Sequence, residues 1–483
     1  MKKSLVALAV LAASGAYAQS SVTLFGIVEA TTDIGYNRTQ DGTVTTNTFN
    51  AAGNGLTSTT TSSSSSQKNN FRVQDGSSQG SGSSRVGFRG TEDLGGGLKA
   101  NFLLEMGLRV DDGCTTLGGV SGPFGTAATA ATGPNAAATN QVFCNNGGNS
   151  ENSGGATFGR NAWGGLSGGF GEVRLGRQVL GSFGVQGNSG ASGASNGLYD
   201  ASTATLSAMG GVRFSNAIRY LSPNFGGFTG SLMLAAPETA GNTTATTTTA
   251  AGVVTTANAS RRTVVDLALE YANGPAYIGF GYNKNDSANS VASNGPTTVG
   301  AAGTAAISAL PTTTTGYTLG GSYDLGVVKP FINYTRQKGN VSGSTTFTSV
   351  VPGGDTFTST AGDTNQRAFS IGLRAPVGAF TVIAGYGRVM TTGNTNTFGP
   401  SIVPGVNTTT AGRTESKVDA FQLGAQYALS KRTLVEANYG YNKLRGDAST
   451  VTVSSAVGAN RIETFARNND RISALNVGLK HSF

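Results

Sequence analysis

This chain of 483 residues contains only two cysteines, one tryptophan and one histidine. A single histidine among scattered carboxylates leaves neither a zinc site nor a Ser-His-Asp triad with enough parts. No CxxC spacing exists, so a redox active site is excluded. Past the N-terminus no stretch offers about 18 uninterrupted apolar residues, which excludes helical membrane spans. Glycine-rich stretches such as Gly95-Gly96-Gly97 lack a following Lys-Ser/Thr, so no phosphate loop is supported. No basic cluster with interleaved aromatics occurs, so the positive charge does not argue for nucleic acid. Charged residues are only 12% of the chain and no charged or proline-rich linker divides it; a string of soluble domains is therefore not indicated. An enzyme is not expected, and no cofactor or metal is implied.

What is present starts with a secretory signal. Lys2 and Lys3 supply the basic region, Leu5 to Ala13 the apolar region, and Ala16-Tyr17-Ala18 the small-x-small cleavage site, giving a signal over 1–18 and a mature chain over 19–483. Cleavage removes two basic residues, leaving 31 Lys and Arg against 25 Asp and Glu, so the formal charge falls from +8 to +6. Glycine reaches 73 residues and hydrophobic content only 37%. A membrane barrel tolerates both, because its lumen is polar and it needs no large apolar core. A disordered Thr/Ser/Gly-rich chain would also show them; periodicity separates the two.

The last thirteen residues carry the clearest pattern. Leu475, Val477, Leu479, His481 and Phe483 share one parity, and Ala474, Asn476, Gly478, Lys480 and Ser482 the other, so a strand here has one largely apolar face. Phe483 is expected at a bilayer interface on the strand that closes a barrel. The same period of two recurs at Leu98 to Leu108, Val265 to Tyr271, Phe369 to Leu373, Phe421 to Tyr427 and Val435 to Tyr441. Seven short connections (near Gly96, Gly168, Pro223, Gly274, Gly326, Gly378 and Lys431) alternate with eight long ones, roughly 36–82, 111–156, 179–211, 237–261, 286–314, 339–365, 391–416 and 446–469. That count predicts an all-β fold: a transmembrane antiparallel β-barrel of sixteen strands, with tight turns at one end and long loops at the other.

Several blocks resemble the trimeric general porins of Gram-negative outer membranes, of the neisserial/betaproteobacterial type. They are Ser21-Val-Thr-Leu-Phe-Gly26, Ser84 to Lys99, Phe170 to Gln178, Ala217 to Gly226, Tyr323 to Phe331, Tyr427 to Thr433 and Val477 to Phe483. The resemblance implies an outer-membrane homotrimer, embedded in lipid, whose third outer loop folds inward to narrow each pore. It also implies arginines at Arg85, Arg177 and Arg219 lining the constriction, and a terminal Phe483 read by the insertion machinery.

Parity independently aims Arg85, Arg89, Arg174, Arg213 and Arg219 inward, and Arg160 as well if Trp163 faces lipid. Simple alternation aims Arg177 outward, so a bend entering the third loop is needed to bring it in. Between Gly181 and Gly211 the only ionisable side chain is Asp200. A constriction of Arg85, Arg160, Arg174, Arg177 and Arg219 facing Asp200 is expected to favour anions. The competing reading pairs these arginines off with Glu105, Glu172 or Glu436. Cys114 and Cys144 are expected to form a disulfide in the second long loop after export. Trp163, Phe421, Tyr427, Tyr439 and Tyr441 fall on parities read as lipid-facing, as girdle or trimer-contact residues. The expected function is passive diffusion of small hydrophilic solutes and ions, with anions preferred. The alternatives are a substrate-specific channel on the same scaffold, or a surface adhesin using the Thr/Ser-rich outer loops.

Overall fold

The computed structural model describes residues 21–49, 56–75, 84–108, 110, 115–116, 157–190, 212–236, 242–249, 252–259, 262–289, 292–293, 310–341, 344–348, 356–360, 362–400, 407–454 and 461–483. Sixteen of its strands close a barrel. The first eight are β1 (Ser21–Phe49), β2 (Arg85–Gly95), β3 (Leu98–Leu108), β4 (Asn161–Gly168), β5 (Gly171–Val179), β6 (Arg213–Leu221), β7 (Phe228–Ala235) and β8 (Arg262–Asn273). The rest are β9 (Ala276–Asn289), β10 (Leu310–Tyr323), β11 (Lys329–Val341), β12 (Asp363–Val377), β13 (Phe380–Pro400), β14 (Asn407–Ala428), β15 (Thr433–Ser454) and β16 (Arg461–Ser482). Each runs antiparallel to its neighbour, and β16 returns to β1 from Ile27 opposite Ser482 to Phe49 opposite Arg461. Closure leaves the barrel without a free edge, which lipid would not tolerate.

All seven tight turns fall where the sequence places them, at the end shared by the start of β1 and the close of β16. Gly274 (φ +56°) and Gly378 (φ +62°) turn the chain in the left-handed region that other residues avoid. The long connections differ from expectation. Much of 36–82 is strand: β1 continues to Phe49 and pairs with Leu56–Asp75, Val44 opposite Thr61. Likewise β13 and β14 stay paired out to Pro400 and Asn407, and β15 and β16 out to Val453 and Arg461. Threonine is β-branched and favours extended backbone. With polar side chains on both faces, however, these ladders show no apolar alternation.

The two faces of the barrel wall are chemically opposite. Leu175, Ile218, Ile278, Leu319, Ile332 and Leu423 point outward and are 54–61% exposed, whereas the inward Thr318, Asn333 and Asn438 are at most 1% exposed. Bare apolar surface outside and hydrogen-bonded polar side chains inside suit a hydrocarbon surround. Aromatics ring the outer face at two levels. Near the turns Phe228 meets Tyr271 at 4.5 Å and Phe380 meets Tyr427 at 5.0 Å. Toward the long connections Tyr282 meets Tyr317 (5.3 Å), Phe369 meets Tyr386 (5.8 Å), and Phe421 meets Tyr386 (4.8 Å) and Tyr441 (6.4 Å).

Inside the wall lies a short helix, α1 (Gly181–Asn188), directly after β5. It is the start of the third long connection, turned inward. Beneath it an apolar cluster of Leu180, Phe214, Ala217, Met233, Ala235 and Val264, joined by Phe183, takes the place of a conventional core.

Candidate functional site

The sequence Gly181-Ser-Phe-Gly-Val-Gln-Gly-Asn188 carries three glycines and has no capping side chain of its own. The barrel supplies the cap. The amides of Gly181 (2.6 Å) and Ser182 (3.3 Å) donate to the Asp266 carboxylate on β8, and the Ser182 hydroxyl donates to it too. Asp266 is fully buried. A carboxylate at a helix N-terminus meets the unpaired amides and the positive end of the dipole together. At the other end Asn188 donates to Glu270 (3.0 Å), as does the Tyr277 hydroxyl (2.8 Å). Asn333 on β11 donates to the Ser189 hydroxyl at 2.7 Å. Close approach is allowed by Gly281, where a Cβ would stand 2.7 Å from that of Ser182. The helix is thus pegged to β8 and β11 by three polar residues of the wall, Asp266, Glu270 and Asn333.

The arginines gather on the wall from β2 to β6. Glu105 on β3 is ion-paired with Arg160, accepts from Asn161 at 3.0 Å, and lies 3.8 Å from Arg85 Nε. Arg177 donates to the Gly159 carbonyl (2.7 Å) and the Ser215 hydroxyl (2.9 Å). Arg213 has Arg160, Arg177 and Arg85 as like-charged neighbours and Glu105 as the opposite one. Arg85, Arg160 and Arg213 are therefore brought together around Glu105, with Arg177 beside Arg213 and Glu29 also near Arg85. Arg219 sits apart, beside α1, donating to the Val179 carbonyl (3.0 Å) and the Ser231 hydroxyl (3.1 Å), with Asp266 as its strongest opposite charge. Arg174 stands opposite Arg219 in the ladder and pairs with Glu172 at 2.6 Å.

Two expectations about direction need correction. Trp163 does not face lipid: the Arg174 guanidinium lies 4.1 Å over its ring, on the face shared with Gly165 and Asn161. The inward position of Arg160 thus does not follow from the parity of Trp163. It follows from Glu105, which captures Arg160 just before β4 begins. Arg177 reaches its partners through the bend that simple alternation lacks. The ladder between β5 and β6 breaks its register between Gly176 and Gln178, with Gly176 at φ +126° and Asn216 opposite at φ +52°.

Asp200, Cys114 and Cys144 lie outside the described residues, as does the signal segment 1–18. Sequence reading missed the anchor Asp266 and also Glu29, a fully buried acid whose Oε2 lies 3.6 Å from Lys480 Nζ. Both sit on the polar parity of their strands, which is the one signal that could have found them. Near the seam Asp33 accepts from Asn476 (2.9 Å) and Glu436 from Gln426 (3.1 Å).

A closed barrel, apolar outside and polar inside, with a helix fixed within it, has the form of a membrane channel. A family model described as Gram-negative porin matches residues 4–447. The chain belongs to that family. This porin is similar to outer membrane porin protein 32 of Delftia acidovorans, at 29% identity with both chains covered in full. It is also 29% identical to an outer membrane porin of Bordetella pertussis, over 92% of this chain and 94% of that one. Among solved structures, the loop L8 deletion mutant of OmpT from Vibrio cholerae has a TM-score of 0.50 at 14% identity, covering 96% of this chain and 99% of the other, and shares the fold. The anion-selective porin from Comamonas acidovorans is 22% identical with a TM-score of 0.47, over 96% and 100% of the two chains. The porin is an outer-membrane channel for passive diffusion, and its family comprises channels rather than enzymes.

Proposed function

We propose that this porin passes small hydrophilic solutes with a preference for anions, and that Arg85, Arg160, Arg174, Arg177 and Arg219 set that preference at its constriction, with Arg213 beside them. The crowding of Arg85, Arg160 and Arg213 around Glu105, with Arg177 beside Arg213, carries the reading. Of the other carboxylates near these arginines, Glu172 is bound to Arg174, Glu29 lies by Lys480, and Asp266 and Glu270 hold α1. The local excess of fixed charge is positive. A permeating ion confined beside it meets that charge through little intervening water. Asp200 is proposed as the lone acid facing this wall, and the homotrimer as the working assembly.

Reversal potentials of reconstituted channels under a KCl gradient test the proposal. The potential should have the sign of chloride permeation at low salt and shrink as the Debye length falls from about 10 Å at 0.1 M to about 3 Å at 1 M. Cation selectivity at low salt would overturn it.

A further inference from the structure

On the outer face, starting at the upper aromatic level, where Arg336 stands opposite Tyr317, the barrel carries a second basic array that the lumen does not use. We propose that Arg336, Lys338 and Arg367 form a phosphate-binding site for the phosphorylated glycolipid of the outer leaflet.

The placement follows from register. Along β11, Ile332, Tyr334, Arg336 and Lys338 alternate with the inward Asn333 and Thr335, so the two cations face the membrane. Arg336 lies two residues beyond Tyr334 toward the long connections. Tyr334 is opposite Phe369 of the upper aromatic ring. Two residues are about 7 Å of strand, which sets the guanidinium at the depth of the headgroups when the aromatics mark the interface.

The charges repel as they stand. Arg336 is directly opposite Arg367 in the β11–β12 ladder, a pairing of like charges that disfavours the sheet. Lys338 follows on the same face, next to Asn365 and Thr315. Among the described residues none of the three has a carboxylate within ion-pair distance, and Arg336 Nε is buried without a hydrogen-bond partner. Two outward acids lie nearby: Asp363, opposite Asn340 and one same-face step beyond Lys338, stays outside ion-pair distance of the three, and Asp286 is taken by Lys284 (3.0 Å) and Thr313 (2.7 Å). Further round, Arg388 by contrast is paired with Asp419 at 2.6 Å.

Shape agrees with charge. A cleft of about 560 Å³ on this face is lined by Tyr317, Tyr334, Arg336, Lys338 and Thr315, among others. Tyrosine rings form its lower wall and cations its upper wall. An occupant with an anionic head and apolar chains below matches that order: phosphates accept from the guanidinium forks, and acyl chains run down past Tyr334 and Ile332. Inorganic phosphate would meet the cations but gain nothing from the rings.

Purified channel in detergent, titrated with bisphosphorylated lipid A and with its dephosphorylated counterpart and read by native mass spectrometry, tests the site. Wild type should retain the phosphorylated form, and the triple variant Arg336→Ser/Lys338→Ser/Arg367→Ser should bind it at least about tenfold more weakly with unchanged single-channel conductance. The single variant Arg336→Gln, expected to weaken binding by less, serves if the triple does not fold. Equal retention of the two lipids by wild type, or equal binding by wild type and either variant, overturns the proposal. Displacement of lipid A by inorganic phosphate would assign the site to the free ion and overturn it as well.

Discussion

The amide of Phe483 donates to the carbonyl of Gly26, and the amide of Gly26 donates back to the carbonyl of Phe483, both at 3.1 Å. This reciprocal pair is the last rung of the seam between β16 and β1. The Phe483 ring lies over Gly26 so closely that a Cβ there would collide with it, and would also stand 2.7 Å from the Arg85 carbonyl.

Gly26→Ala should therefore destabilise the barrel by about 1–3 kcal/mol, the usual cost of overpacking. The temperature at which the barrel loses its compact mobility in detergent electrophoresis measures it. Combining it with Phe483→Ala should recover part of the loss, because the ring obstructs and the Arg85 carbonyl remains. Strict additivity of the two changes would show that ring and glycine do not touch.

Phe483→Ala alone keeps both backbone bonds but removes the ring. Fewer channels should insert, each with wild-type conductance. Counting insertions in a planar bilayer alongside single-channel current separates the two effects, and a lowered unit conductance would contradict this assignment.

Glu105→Gln leaves Arg160 and Arg85 facing a neutral amide. Glu105 and Arg160 have side chains only 8% and 7% exposed, so removing one partner should cost about 3–5 kcal/mol. The same change should push the reversal potential further toward chloride. A shift toward cations would mean that Glu105 does not face the ion path.

Asp266→Ala removes the acceptor from the Gly181 and Ser182 amides and the Ser182 hydroxyl. Each buried donor left unpaired costs about 1–3 kcal/mol, so α1 should leave the wall for part of the time. Single-channel records should show added current noise or sublevels. A variant trace as quiet as that of wild type would mean that the apolar cluster under Leu180 and Phe183 holds the helix unaided.

Gly176→Val places a β-branched residue at φ +126°, where its Cβ would strike the Ala162 carbonyl. The register break should shift and carry Arg177 away from Gly159 and Ser215. Chloride selectivity should then fall toward that of Arg177→Gln. Unchanged selectivity in both variants would remove Arg177 from the ion path.

Much of this molecule is legible in alternation alone. The inward aim of Arg85 and Arg219, the seven tight turns and the closing strand all follow from counting by two. The reading fails where the count is broken. Past Gly176 one extra residue on β6, where Ser215 and Asn216 face the single Arg177, breaks the register, and no apolar pattern marks that step. Parity counted from the sequence aims Trp163 at lipid, yet its ring lies under the Arg174 cation on the lumen face, a cation–π contact that a count of faces does not reveal. The helix α1 was invisible because its own residues favour it weakly; Asp266, some eighty positions downstream, completes it. The Thr/Ser-rich ladders were read as loops because two polar faces give no contrast.

The wall of this channel is one strand thick, and consecutive residues belong to different solvents. On β11, Asn333 grips the helix end in the lumen while Tyr334 and Arg336 meet the membrane. The strand is thus a two-channel script, with odd positions addressing the solute and even positions addressing the lipid. Substitutions confined to one parity can retune permeation without altering how the barrel sits in its bilayer, and those on the other parity can do the reverse.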